Sequence, residues 1–173
     1  MWLVVGLGNP GKEYTHTRHN IGFRAVELFA AKNNAVWTED KTSRTAIATV
    51  KSGTEKIILL KPLNFMNRSG EAVQKVAHYY KIPTDHIIII HDDLDFSLGT
   101  VKTQFDRSAA GHNGVTDIIE KLGGQEFHRI RVGIGPQEGP AENFVLQPFT
   151  AAEELVVKLK LDNALLLLQD IIK

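Results

Sequence analysis

His19, Asp92, Asn9 and Asn67 are the residues of this chain equipped for acyl chemistry. A histidine that works as a base near neutral pH needs a partner that fixes its tautomer and stabilises the imidazolium, and a carboxylate does both. His19 stands at the mouth of a predicted helix, and Asp92 follows the aliphatic run Ile87 to Ile90. No side chain offers itself as nucleophile. There is no cysteine and no G-x-S-x-G elbow, and none of the five serines lies between a strand and a helix in that geometry. His19 would therefore activate water. Asn9 and Asn67 carry neutral amide donors suited to a developing oxyanion, where one such donor is worth about 3 kcal/mol of barrier. The set describes hydrolysis of an acyl bond without a metal. The acidic run HDDLD at 91–95 could instead suit a hard cation such as Mg²⁺ or Ca²⁺, but no second carboxylate cluster completes a shell. Asp93 reads as a solvated turn residue and Asp95 as a hydrogen-bond partner within its loop. His78, His86, His91 and His128 lack comparable context and are expected to be structural or exposed.

These residues need a scaffold that brings them together. Leu3 to Leu7 is short, continuous and apolar before a glycine turn, the pattern of a fully buried strand. Asn20 to Ala31 reads as a helix, Thr45 to Val50 and Lys56 to Leu60 as a hairpin around Ser52-Gly53, and Ser69 to Tyr80 as a helix before Pro83. Ile87 to Ile90 is another buried strand and Thr100 to Gln104 a half-exposed one. Gly114 to Leu122 is a helix closed by Gly123, and Ile130 to Ile134 a strand. Thr150 with Glu153 makes a capping box for a C-terminal helix over about 150–173. Helices alternating with buried strands predict a single three-layer α/β domain over residues 1–173, its mixed, largely parallel twisted sheet covered by helices. In open α/β sheets ligands bind outside the carboxyl ends of the strands. Asn9, Asn67 and Asp92 each follow a predicted strand and so converge on one crevice.

Residues 6–11, GLGNPG, also match the G-x-G-x-x-G spacing of a dinucleotide-binding turn. That fingerprint requires the last glycine inside the first turn of a helix facing a pyrophosphate. Pro10 pushes Asn9 out of the helical region, and residues 12–18 carry no apolar side chain except Tyr14. A dinucleotide-dependent oxidoreductase is thus a distant reading, and no cofactor is expected. The glycines are expected instead to shape a tight strand-end turn that presents Asn9.

The 173 residues, 43% hydrophobic, suffice for one core. Twenty basic and twenty acidic side chains leave no net charge, so a polyanion must be met by a local patch. The N-terminal MWLVVGLGN lacks the basic and long apolar regions of a signal peptide. The aliphatic runs are too short to span a bilayer. A cytoplasmic protein without membrane contact is expected.

GLGNPG with Tyr14, then RHNIGF, KPLNFMNRSG, HDDLD, GHNG and FHRIRVGIG, together resemble bacterial peptidyl-tRNA hydrolase, in order from about Val4 to Phe149. The resemblance implies a monomeric α/β enzyme without metal or cofactor, one that cleaves the ester between a nascent peptide and the 3′ ribose of tRNA. It implies that His19 activates water and Asp92 orients it, with Asn9 and Asn67 positioning the substrate and the water or oxyanion. Asn113 would bind the peptidyl portion. Tyr14 and Met66 would line the crevice around the terminal ribose and adenine, flanked by His112. Of the two basic residues that would clamp the acceptor-stem phosphate, one falls at Arg131. The other falls at Gln104, where Lys102, two residues away on the same strand face, could substitute. Asp106 and Arg107 also depart from the glycine-rich, basic loop usual before GHNG. The rival is a catalytically silent RNA-binding or splicing relative of this fold. The joint presence of His19, Asp92, Asn9, Asn67 and Asn113 argues against it, because binding alone needs no histidine–carboxylate pair.

Overall fold

A computed structural model describes residues 1–173. In chain order its elements are β1 (Trp2–Gly6), α1 (Ile21–Lys32), β2 (Thr38–Asp40), β3 (Thr45–Ser52), β4 (Glu55–Pro62), α2 (Ser69–Tyr80), β5 (Ile87–Ser97), β6 (Val101–Phe105), α3 (Asn113–Leu122), β7 (His128–Gly135), α4 (Ala141–Phe144) and α5 (Ala151–Ile172). Short 3₁₀ turns at Lys12–Tyr14, Arg18–Asn20, Met66–Arg68 and Thr84–His86 join them. The strands form one sheet in the order β2-β3-β4-β1-β5-β7-β6. β4, β1, β5 and β7 run parallel, while β2, β3 and β6 pair antiparallel at the two edges.

The apolar runs of β1 and β5 arise because both faces of the sheet are covered. Val4, Leu59, Ile88, Ile90, Ile130 and Val132 point towards α1 and α5. Leu3, Val5, Leu60, Ile87, Ile89 and Phe127 point towards α2 and α3. Each such aliphatic side chain contributes about 1.5–3 kcal/mol when removed from water. α5 starts at the expected capping box: Thr150 Oγ1 accepts from Glu153 N, and the Glu153 carboxylate accepts from Thr150 N.

α1 lies unusually close to the strand ends. A Cβ on Gly22 would stand 2.2 Å from the Ile90 carbonyl oxygen and 2.5 Å from Leu7 N, and one on Gly6 would stand 2.2 Å from the Gly22 carbonyl oxygen. Gly6 and Gly22 therefore let the helix headed by His19 rest directly on β1 and β5. Gly11, at φ 115°, does turn the chain beyond Asn9.

The elements differ from expectation in instructive places. β1 spans Trp2–Gly6 rather than Leu3 to Leu7, and α1 begins at Ile21 after a 3₁₀ turn. β5 does not stop at Ile90; its pairing with β7 continues through Asp93 and resumes, after an irregularity, at Ser97. Asp92 is thus part of the strand, not of a loop following it. Asp93 is not a solvated turn residue but is buried against Arg131. β2 and α4 fall in stretches for which no element is expected from the sequence.

Candidate active site

The site forms where the head of α1, the polar end of β5 and the turn before α3 meet. Asp92 is 2% exposed, and both of its carboxylate oxygens are occupied. Oδ2 lies 2.8 Å from His19 Nδ1, and Oδ1 lies 2.8 Å from His112 Nε2. Burial alone would push the Asp92 carboxyl up, but the two imidazoles outweigh it and hold the group well below the usual carboxylate range. An ionised carboxylate only accepts hydrogen bonds, so both rings donate to it. His112 caps α3 by accepting from Val115 N at Nδ1, 3.3 Å away, which makes it a neutral ring with its proton on Nε2. His19 accordingly carries its proton on Nδ1 and has its Nε2 lone pair free for a proton from water. Burial pulls the His19 imidazole down, and the adjacent Asp92 carboxylate more than reverses this, holding it above its ordinary value.

His19, Asp92 and His112 line a cleft of about 390 Å³, with Asn113, Glu142 and Val145 among its other walls. Asn113 is the first residue of α3 and is exposed towards solvent. A Cβ on Gly114 would stand 2.6 Å from Met66 Sδ, so this glycine lets α3 close upon Met66.

The asparagines are set differently from one another. Asn9 N donates to Asn20 Oδ1, Asn20 Nδ2 donates to the Asn9 carbonyl, and Asn9 Oδ1 accepts from Met66 N at 2.8 Å. This cycle ties β1 to the turn after β4 and leaves the Asn9 amide NH₂ as its uncommitted donor. Asn67 is exposed on the 3₁₀ turn Met66–Arg68 and makes no hydrogen bond to His19 or Asp92. Met66, expected to line the crevice, is buried in the core beside α2 and α3, and its backbone N–H donates to Asn9. Its flexible apolar side chain fills the gap left by Gly114. Tyr14 packs edge-on against the exposed ring of Phe65, with centroids 6.5 Å apart.

The two expected phosphate ligands stand on neighbouring strands, Lys102 being the register partner of Arg131. Arg131 is buried rather than free: its Nε donates to Asp93 and its Nη1 to Gln104 Oε1, with Nη2 3.9 Å from Asp95. Lys102 is exposed, and its ammonium and the Arg131 guanidinium both lie near the Phe96 ring. Gln104 is more than a missing charge. Its Oε1 accepts from both Arg129 Nη2 and Arg131 Nη1 at 2.9 Å. Burial, and then Arg131, push Arg129 down to about 10.

Sequence reasoning passed over Asn20, Arg18 and Arg129, and expected His91 to be structural or exposed. Asn20 directly follows His19, and that adjacency was the available signal. His91 is buried, donates from Nδ1 to the Asp92 carbonyl oxygen, and stands with its ring 4.7 Å from that of His112. Burial and His112 hold its imidazole well below the ordinary value, so it is neutral. His19, Asp92 and His112 offer three possible metal-ligand atoms within 4.8 Å of one another. To bind a cation there, both rings would have to give up the protons they donate to Asp92.

A covered α/β sheet that presents a histidine on a buried carboxylate at its strand ends, with Asn113 on the same cleft, is an arrangement suited to hydrolytic chemistry. Comparison with known proteins narrows the class. A sequence profile of the family described as peptidyl-tRNA hydrolase matches residues 3–173. Peptidyl-tRNA hydrolase of Listeria monocytogenes is 43% identical over 155 residues, covering 89% of this chain and 83% of its own. That of Clostridium botulinum is 44% identical over 158 residues, covering 91% and 83%. The crystal structure of peptidyl-tRNA hydrolase from Acinetobacter baumannii superposes with a TM-score of 0.88 at 36% identity, covering 94% of this chain and 83% of that one. The chain belongs to the peptidyl-tRNA hydrolase family.

Proposed function

We propose that this chain hydrolyses the ester between an N-blocked peptide and the 3′ ribose of tRNA, with His19 as the base. The observation that carries this reading is the Asp92 carboxylate shared by His19 and His112 at 2.8 Å each. It fixes His19 as the tautomer whose Nε2 accepts a proton. Water attacks the ester carbonyl carbon as Nε2 takes its proton, and the carbonyl oxygen becomes an oxyanion. Collapse of that intermediate breaks the bond to the ribose 3′ oxygen, which takes the proton back from the imidazolium. The Asn9 amide NH₂ is the donor best fixed to meet the water or the oxyanion, because its oxygen is already held by Met66 N. Asn67 and Asn113 are the exposed amides for the substrate, Asn113 for the peptidyl part, and Tyr14 with Phe65 gives an aromatic edge for the terminal nucleotide. Lys102 and the outer edge of Arg131 over Phe96 are the cations for the acceptor-stem phosphate.

The test is single-turnover release of an N-acetylated aminoacyl group from tRNA. The wild-type protein releases it, and His19→Ala abolishes release while leaving tRNA affinity nearly unchanged. Wild-type protein that binds tRNA but releases nothing would remove the enzymatic reading and leave an RNA-binding one.

A further inference from the structure

The main chain that carries His19 is not hydrogen-bonded into the sheet. Thr17 bridges Pro148, Arg18 N donates to the Gln147 carbonyl at 3.1 Å, and His19 N donates to the Val145 carbonyl at 2.8 Å. The Arg18 side chain, 5% exposed, reinforces the same junction. Its Nη1 donates to the carbonyl oxygens of Pro148 at 2.8 Å and Gln147 at 3.3 Å, and its Nη2 donates to both carboxylate oxygens of Glu153. The rings of Phe144 and Phe149 flank the guanidinium at 4.4 and 5.3 Å. The segment it grips runs on directly from Ala141, Glu142 and Val145, which form a wall of the cleft beside Asp92 and His112.

Packing alone does not call for this residue. An apolar side chain would fill the space between two phenyl rings without the cost of burying a charge. What a guanidinium adds is a rigid fork of donors that reaches several acceptors at once. Here the fork reaches the chain at 147–148 and the first turn of α5 together.

We propose that Arg18, with Glu153 as its counter-ion, is a positioning residue for the reaction: it locks the turn bearing His19 to the cleft wall and thereby keeps the His19 ring on Asp92. The inference rests on His19 being the base. The fold contains its own comparator. Arg24 and Glu154 form a second forked pair between α1 and α5, at 3.0 and 2.7 Å, with Arg24 also near Phe149. That pair holds no backbone of the His19 turn. The ionisable groups around His19 are Asp92 from β5, His112 from the turn before α3 and, along the same cleft, Asp93 and Asp95 of β5 and Glu142 of α4. Glu153 is the charged partner of Arg18.

Arg18→Met, Arg18→Lys, Glu153→Gln and Arg24→Met would be compared with wild type in the full chain. The readouts are kcat and KM for N-acetyl-aminoacyl-tRNA across the neutral pH range and the NMR titration of the His19 ring. Arg18→Met is expected to lower kcat by about tenfold or more with little change in KM, since small misplacements of a catalytic group are costly. It also moves the acid limb of the rate and the His19 titration to lower pH, as the ring leaves the carboxylate that raises it. Arg18→Lys and Glu153→Gln shift both in the same direction by less. Arg24→Met lowers Tm but leaves the His19 titration in place. A wild-type titration and kcat in Arg18→Met would overturn the proposal, as would an equal shift in Arg24→Met. If Arg18→Met does not fold, unchanged His19 titrations in both Arg18→Lys and Glu153→Gln overturn it. Should wild type lack hydrolytic activity, the functional reading fails separately, and the ring titration still decides the role of Arg18.

Discussion

Replacing Asp92 by asparagine removes one charge and almost no volume, and it tests the centre of the proposed mechanism. In the transition state His19 becomes an imidazolium facing a carboxylate whose Oδ2 lies 2.8 Å from Nδ1. With both charges delocalised over their groups, the centres are about 4 Å apart, and at an effective dielectric of about 20 the attraction is roughly 4 kcal/mol. At about 1.4 kcal/mol per tenfold, Asp92→Asn should lower kcat about a thousandfold. An asparagine NH₂ turned towards either ring would also ask that ring to accept, which favours the wrong tautomer of the base. The pH profile provides a second, signed outcome. In wild type the carboxylate favours the imidazolium, so the acid limb lies above the ordinary imidazole value of about 6.5. In Asp92→Asn burial acts unopposed and favours the neutral ring, so the limb moves to lower pH even as the plateau falls. Initial rates of acyl release from N-acetyl-aminoacyl-tRNA, measured over the neutral range on protein shown to be folded, give both quantities. A loss of less than about tenfold, or a limb that stays or moves upward, would refute the view that Asp92 raises His19 and stabilises its charged form.

Gly22→Ala should destabilise the chain by about 3 kcal/mol or more, because its Cβ would meet the backbone of Ile90 and Leu7, which cannot move aside; an unchanged denaturation midpoint would show that α1 does not need this close seat. Arg131→Ala should weaken tRNA binding and reduce the salt dependence of log K by about one unit, while lowering Tm by leaving Asp93 buried without its partner. Lys102→Ala should reduce the salt slope with Tm unchanged, since that side chain is exposed; an unaltered slope in either variant takes that residue out of the phosphate site. Chelation with EDTA should leave the rate unchanged, because both Asp92 oxygens already serve histidines; loss of activity restored by a divalent cation would contradict this.

Where a local pattern carried the information, the sequence was legible. α2 spans Ser69–Tyr80 as its periodicity predicts, and the Thr150–Glu153 box opens α5. The alternation of buried strands and helices was enough for the layered architecture; of the three residues expected to converge on one strand-end crevice, Asp92 lines the cleft with His19, whereas Asn9 lines a neighbouring one beside Arg24 and Lys61. What escaped was set by partners distant in sequence. Nothing in HDDLD announces that Asp93 meets Arg131, 38 positions on, or that β5 continues through polar residues because β7 keeps pairing with it. The three-residue β2 is exposed throughout and has no apolar period to detect. Met66 drew attention because it sits between Phe65 and Asn67; its side chain is buried in the core, which the sequence does not announce, and its N–H donates to Asn9.

The acidic run of β5 shows how one strand end serves two purposes. Successive side chains of a strand point to opposite faces. Asp92 therefore turns towards the head of α1 and takes up His19 and His112, while Asp93 turns to the other face and takes up Arg131. On that second face Arg131 and Gln104 continue the network to Arg129, whose Nη2 donates to the Ser108 carbonyl. Ser108 lies in the loop that leads through Ala109 to Gly111, along the cleft, into His112. Read as a cluster, the carboxylates suggest a cation shell. Read with the pleat, they are two separately neutralised sites, one supporting the base and the other holding the guanidinium proposed to face phosphate. A phosphate that draws Arg131 outward must compete with Asp93, the immediate neighbour of Asp92. The guanidinium proposed to face phosphate and the carboxylate proposed to serve the base thus share one strand end, held there by neighbouring residues that take different partners.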